Sequence, residues 1–335
     1  MSKTRSEKIQ TIRGLCIFAV ILIHCKSLEM LSLTWESAIF LFYRNIINFP
    51  VAFFLFLSGY FSNCSNVRGY KDWYCKRIKR LIIPYTIWST FYYIVLDIIV
   101  GKKPFSLLVL AKHLLIGDAV NPFYFIVLIY IFTLITPILL KILRSRFGIV
   151  CLIGTIALIE IASYFLQYNG INVFGTIMKY SPSWVAFYIF GILYNEGRVR
   201  MPSRNKSFYL VIFCLVLEMI ESVLLSTCEN TKIITFSQLK ISGIFYSIFL
   251  ICFFMKSIKE EGIKMLSNIG DYSYGIFYIH MFFVFVLNRI MGSVNMFVTI
   301  QNFLEGVFVL IASCLTIFIM KKILQNKKIL KLIGF

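Results

Sequence analysis

The chain has 335 residues, 59% hydrophobic and 15% charged, with a formal net charge of +19. An ordinary soluble domain carries about 25% charged residues, so the composition excludes a soluble globular protein and points to a polytopic membrane protein. The net charge does not indicate nucleic acid as a partner, because Lys and Arg stand between apolar runs and alternate in density along the chain, the pattern that membrane topology imposes.

Apolar runs on the order of 20 residues each, long enough to span, fall at 11–30, 39–61, 80–100, 121–142, 147–167, 177–196, 207–226, 235–255, 272–291 and 298–321. They predict an all-α fold of about ten transmembrane helices in one bundle, a single membrane domain filling 1–335 with a short N-terminal segment 1–10 and a tail 322–335. Most basic residues lie in 1–10, 62–80 (Arg68, Lys71, Lys76, Arg77, Lys79, Arg80), 141–147, 197–206, 256–271 and the tail, whereas the alternate segments hold only Lys102, Lys103, Lys112, Lys179 and Lys232. By the positive-inside rule both termini are cytoplasmic. The basic start before the first run does not make a cleaved signal peptide, since no small-residue cleavage pattern follows Ile23-His24-Cys25-Lys26. Segment 101–121 is amphipathic enough to lie at the interface as a helix. Pro50, Pro137 and Pro182 can kink their spans, but no broken helix of the transporter type is expected. The nine cysteines include no C-x-x-C pair and read as small apolar residues, so neither a disulfide framework nor a metal is expected.

The first run carries Arg13 and, eleven residues on, His24. At about 100° per residue the two share a helix face, roughly 16 Å apart along the axis. An ionisable group that deep in a span is costly and is a functional hypothesis by default, and His is the side chain suited to moving protons near neutral pH. The second run ends Phe53-Phe54-Leu55-Phe56-Leu57-Ser58-Gly59-Tyr60-Phe61, where Ser58-Gly59 permits close helix approach. Arg77 and Arg80 open the third run three residues apart, followed by Pro84. Such a pair either holds the phosphates of a nucleotide at the membrane entrance or anchors the chain beside anionic lipid. Ser273-Tyr274-Gly275-Ile276-Phe277-Tyr278-Ile279-His280 opens the ninth run and sets His280 at a depth close to that of His24, which points to a shared cavity. Glu160, Glu218, Glu221, Asp97, Arg44 and Lys240 are further charges in or near spans, each either paired or lining a wet cavity. His113 is placed at the outer interface. No G-x-x-x-x-G-K-[ST], G-x-S-x-G or H-E-x-x-H pattern occurs.

Arg13-x10-His24, Phe53-Phe54-x3-Ser58-Gly59-Tyr60-Phe61, Arg77-x2-Arg80-Leu81-x2-Pro84 and Ser273–His280, in that order, resemble the acyltransferase family 3 membrane proteins over residues 8 to 290. The chain departs from that pattern at Gln10-Thr11, where many members have Leu-Asp, and at Phe123-Tyr124-Phe125, where a Trp-containing motif is usual. The resemblance implies about ten spans and transfer of an acetyl group from acetyl-CoA to a sugar hydroxyl of a bacterial surface polysaccharide, such as O-antigen, capsule or exopolysaccharide. It implies a protein integral to the cytoplasmic membrane, with acetyl-CoA, a lipid-linked or polymeric glycan and membrane lipid as partners. The family's Arg-x10-His falls on Arg13 and His24 and its Arg-x2-Arg on Arg77 and Arg80, which gives Arg13 and His24 to catalysis and Arg77, Arg80 and Arg13 to the donor phosphates. His24 is then either a general base or a covalent acyl carrier, with His280 orienting it or donating to the oxyanion, and Ser58, Gly59 and Pro84 are structural. The competing reading is a proton-coupled transporter or flippase of a glycan precursor, in which the histidines relay protons and the arginines only fix topology.

Overall fold

The computed structural model describes residues 6–27, 34–62, 70–174, 178–291 and 296–335. Arg68, the end of the run 11–30 and the start of 177–196 lie outside them. The described residues are 81% helix and contain no strand. In chain order the helices are α1 (Glu7–His24), α2 (Trp35–Ile47), α3 (Pro50–Tyr60), α4 (Tyr70–Tyr92), α5 (Leu107–Ile116), α6 (Tyr124–Leu143), α7 (Arg146–Tyr168), α8 (Trp184–Asn195), α9 (Arg204–Ser226), α10 (Ile241–Ser257), α11 (Lys264–Met291), α12 (Val298–Leu324) and α13 (Lys327–Ile333). Serines cap several of them: the hydroxyls of Ser6, Ser106, Ser145 and Ser203 accept from the backbone N–H three residues on, satisfying donors the helix leaves open.

Among the described residues seven helices are long and apolar enough to cross a membrane, fewer than the predicted ten. The three that fall short are instructive. α1 has 18 residues but carries Glu7, Lys8 and Arg13; α8 has 12 and α10 has 17. The runs 11–30, 177–196 and 235–255 each took in flanking residues outside the helix, such as Lys26 after α1, Lys179 to Ser183 before α8 and Thr235 to Lys240 before α10. α1 ends at His24, so this residue stands at a helix C-terminus and not in the middle of a span as the run 11–30 suggested.

A second correction concerns the run 39–61, which is a broken helix. α2 stops at Ile47, Phe49 has φ −124° and ψ −13°, and Pro50 begins α3. Proline cannot donate to the carbonyl four residues back and disfavours helical geometry in the residue before it. The carbonyl of Ile46 is taken instead by the Tyr246 hydroxyl at 2.9 Å. Pro84, inside α4, works the same way: it leaves the Arg80 carbonyl without its helical donor, and the Tyr274 hydroxyl of α11 supplies one at 2.9 Å. Two of the motifs singled out in the sequence thus complete one another.

α1 lies along α11, and the two run parallel. Near their starts Thr11 Oγ1 accepts from Ile263 N at 2.8 Å and Ser267 donates to Glu7; at the far end His24 meets His280. A Cβ at Gly14 would overlap the Leu266 carbonyl, and one at Gly270 the Gln10 carbonyl, so each helix offers a glycine to the other's backbone. α3 and α8 repeat the device, Gly59 against the Tyr188 carbonyl and Gly191 against that of Phe56. Without a hydrophobic drive between helices in lipid, such close approach is a main source of association. Gly270→Val is expected to lower the melting temperature of the detergent-purified protein or prevent its folding, because overpacking costs about 1–3 kcal/mol even where side chains can yield, and here the obstacle is backbone. Gly154→Val, with open space at its Cβ, is the control that leaves melting unchanged.

The tail folds back on the bundle. α13 brings the Ile333 carbonyl to Trp88 Nε1 at 2.9 Å, and the Phe335 ring packs on Trp88 and over Gly275.

Candidate functional site

The two ends of the α1–α11 pair hold several of the residues singled out in the sequence. At the end where both helices begin, Arg13 is half-buried and donates to Gln10 Oε1 at 3.2 Å; Arg80 and Asp271 lie within electrostatic range of it. Lys321 of α12 sits 4.3 Å over the Tyr272 ring at the same end. Arg80 is exposed, its backbone held by Tyr274. Arg77, predicted to act beside it, is turned to α3, where it donates to Ser58 Oγ at 2.6 Å and to the Ser58 carbonyl and Ser62 Oγ at 3.0 Å each. The Ser58-Gly59 element therefore does two structural jobs, seating Arg77 and admitting α8. Thr11 occupies a place where the resembling proteins have an acid; it is fully buried and fastens the turn before α11 through Ile263.

At the other end the imidazoles of His24 and His280 have centroids 5.6 Å apart and planes inclined at 44°. His280 is fully buried on α11, and its Nδ1 contacts the carbonyls of Phe277 at 2.8 Å and Ile276 at 3.1 Å. Carbonyls only accept, so Nδ1 carries the proton and, in the neutral ring, Nε2 carries the lone pair. That Nε2 is buried with no hydrogen-bond partner among the described residues. His24 opens onto a cavity of about 210 Å³.

The cavity is assembled from the end of α1, the break between α2 and α3, the start of α6, and the segments ahead of α8 and α10. The sequence marked His24 but did not join it to Arg44, Lys179, Asn48, Gln238 or Trp184, all of which line the same space. The position of Arg44 as a charge within an apolar run is the one sequence signal that points to it. Phe123-Tyr124-Phe125 divides: Tyr124 and Phe125 face the cavity, while Phe123 packs between Tyr85, Tyr92 and Phe277.

The remaining intramembrane charges are paired. Lys240 and Glu218, neither exposed, form an ion pair at 3.1 Å. Glu221 accepts from the Tyr164 hydroxyl at 2.6 Å, from Ser242 N at 2.9 Å and from the Ser242 hydroxyl. Glu160 accepts from Ser183, and Asp97 pairs with Lys103 at 2.6 Å and with His113 at 3.4 Å. No group of three or more His, Cys, Asp or Glu side chains fit to hold a metal occurs among the described residues.

No curated protein and no solved structure matches the chain. Residues 7–322, nearly the whole chain, match the family model of the acyltransferase domain Acyl_transf_3, and the chain belongs to that family of membrane acyltransferases.

Proposed function

We propose that the chain moves an acetyl group from acetyl-CoA, bound on the cytoplasmic side, to a sugar hydroxyl of a surface polysaccharide on the opposite side, with both termini cytoplasmic. The observation that carries this reading is the parallel α1–α11 pair, which holds a cationic end and a histidine end on the same two helices.

At the cationic end Arg80 and Arg13 take the phosphates of the donor. Two like charges brought near each other are relieved by an anion between them, and guanidinium forks suit phosphate oxygens. Arg77 braces α4 against α3 and so holds Arg80 in position. At the far end His24 accepts the proton of the acceptor hydroxyl while that oxygen attacks the thioester carbonyl. The carbon–sulfur bond breaks and the leaving thiolate of CoA takes up a proton. His280, with Nδ1–H anchored to backbone and Nε2 as acceptor, is suited to fixing the ring of His24 through one N–H, leaving the other nitrogen of His24 as base. Donation from His280 to the developing oxyanion is the less favoured role, because its one proton is already engaged.

The arginines give a separable test. Arg80→Gln should leave the melting temperature unchanged and raise KM for acetyl-CoA about ten- to hundredfold, the value of one charge-assisted hydrogen bond at about 1.5–3 kcal/mol. Arg77→Ala should lower the melting temperature instead. Binding of CoA to the purified protein separates this reading from glycan export, which has no use for CoA; a protein that binds none is not an acetyl-CoA transferase.

A further inference from the structure

The cavity beside His24 is cationic. Arg44 and Lys179 line it beside His24, and no Asp or Glu does so among the described residues. Acids in neighbouring helices are engaged elsewhere: Glu218 faces Lys240, Glu221 is held by Tyr164 and Ser242, and Glu160 by Ser183. Arg44 Nη1 is buried and, among the described residues, has no hydrogen-bond partner, and the same holds for two further polar atoms at the wall, Asn48 Oδ1 and Gln238 Oε1. A guanidinium without a counter-charge inside a membrane protein is costly, and such groups pair or mark a ligand path. Here the unmet donor stands at a cavity mouthed by polar groups, beside the imidazole assigned to catalysis.

About 210 Å³, against roughly 300–1,000 Å³ for pockets that enclose a drug-sized ligand, is room for one sugar-sized group. Trp184, Phe54 and Phe277 supply apolar walls of the kind on which the faces of a sugar ring rest. We infer that the cavity receives the acceptor as an acidic monosaccharide unit, whose carboxylate or phosphate is held by Arg44 and Lys179 while a neighbouring hydroxyl is presented to His24. The inference rests on the acceptor side of the proposed function and names its substrate class.

The test uses the full chain in detergent micelles and three probes: methyl glucuronoside, methyl glucoside 6-phosphate and methyl glucoside, with binding read by saturation-transfer NMR. At least one acidic sugar should half-saturate the protein at a concentration about tenfold or more below that of the neutral one, a step of about 1.4 kcal/mol. Whichever acid binds tighter identifies carboxylate or phosphate as the recognised group. Arg44→Gln and Lys179→Gln should each remove the preference and leave binding of methyl glucoside unchanged, with melting temperature confirming the fold. Equal binding of all three sugars, or a preference that survives both variants, overturns the inference. CoA binding measured on the same preparations keeps the two readings apart: anion preference without CoA binding retains the site and removes the transferase, whereas CoA binding without anion preference does the reverse.

Discussion

His24→Asn is expected to leave a folded protein whose acyl transfer has fallen about 10²–10⁴-fold, the contribution of one positioned proton acceptor. The fold should survive because the His24 side chain makes no hydrogen bond among the described residues; its neighbours are the His280 ring and the cavity. Asn keeps a polar group of similar reach and cannot accept the proton. His280→Asn should also lose activity, by a smaller factor, since its place is behind His24 and it lines no part of the cavity. Melting temperature and transfer rate, measured together on the two purified variants, check this; an active His24→Asn protein would show that the group accepting the proton lies elsewhere.

Lys240→Met should be strongly destabilising. Lys240 and Glu218 are both shielded from solvent, and Nζ uses its three hydrogens on Asn45 Oδ1 at 2.7 Å, Ser222 Oγ at 2.6 Å and the Thr235 carbonyl at 3.0 Å. Glu218 Oε1 stands 3.1 Å from Nζ and balances the charge. Removing the lysine strands a buried carboxylate, a loss of about 3–5 kcal/mol. Replacing both, as Lys240→Met with Glu218→Met, should recover most of the loss, because an ion pair deep in a protein is expensive to break and cheap to exchange for apolar residues. Thermal unfolding of the single and double variants in the same detergent decides it; equal losses would mean that the lysine acts through its hydrogen bonds alone. The pair matters to the site because Asn45 neighbours Arg44, and Thr235 leads into the Phe236–Leu239 wall of the cavity.

The family and the parallel histidines were legible in the sequence because they depend on short motifs whose spacing survives as helix geometry: Arg13 and His24 do share α1, and His280 does reach the depth of His24. The number of full-length spans was not, because hydropathy registers apolar content and not the breaks within it. Pro50 divides one run in two. The runs 177–196 and 235–255 reach back over Lys179 to Ser183 and Thr235 to Lys240, whereas α8 and α10 begin only at Trp184 and Ile241. The partners of the buried charges were illegible for another reason: Lys240 meets Glu218 of the preceding helix and Asn45 of α2, far away in the chain, and nothing local announces such a meeting. The same holds for Arg44 and Lys179, which only the folded chain sets beside His24. Arg77 looked like a twin of Arg80 three residues away, yet the fold turns one inward to α3 and leaves the other exposed.

The most direct test is the ester-linked acetyl content of surface polysaccharide from cells carrying either the wild-type chain or His24→Asn, at matched membrane levels. The account predicts acetyl groups on the glycan with the wild-type chain and none above background with His24→Asn. Acetyl content unchanged by the substitution would contradict it.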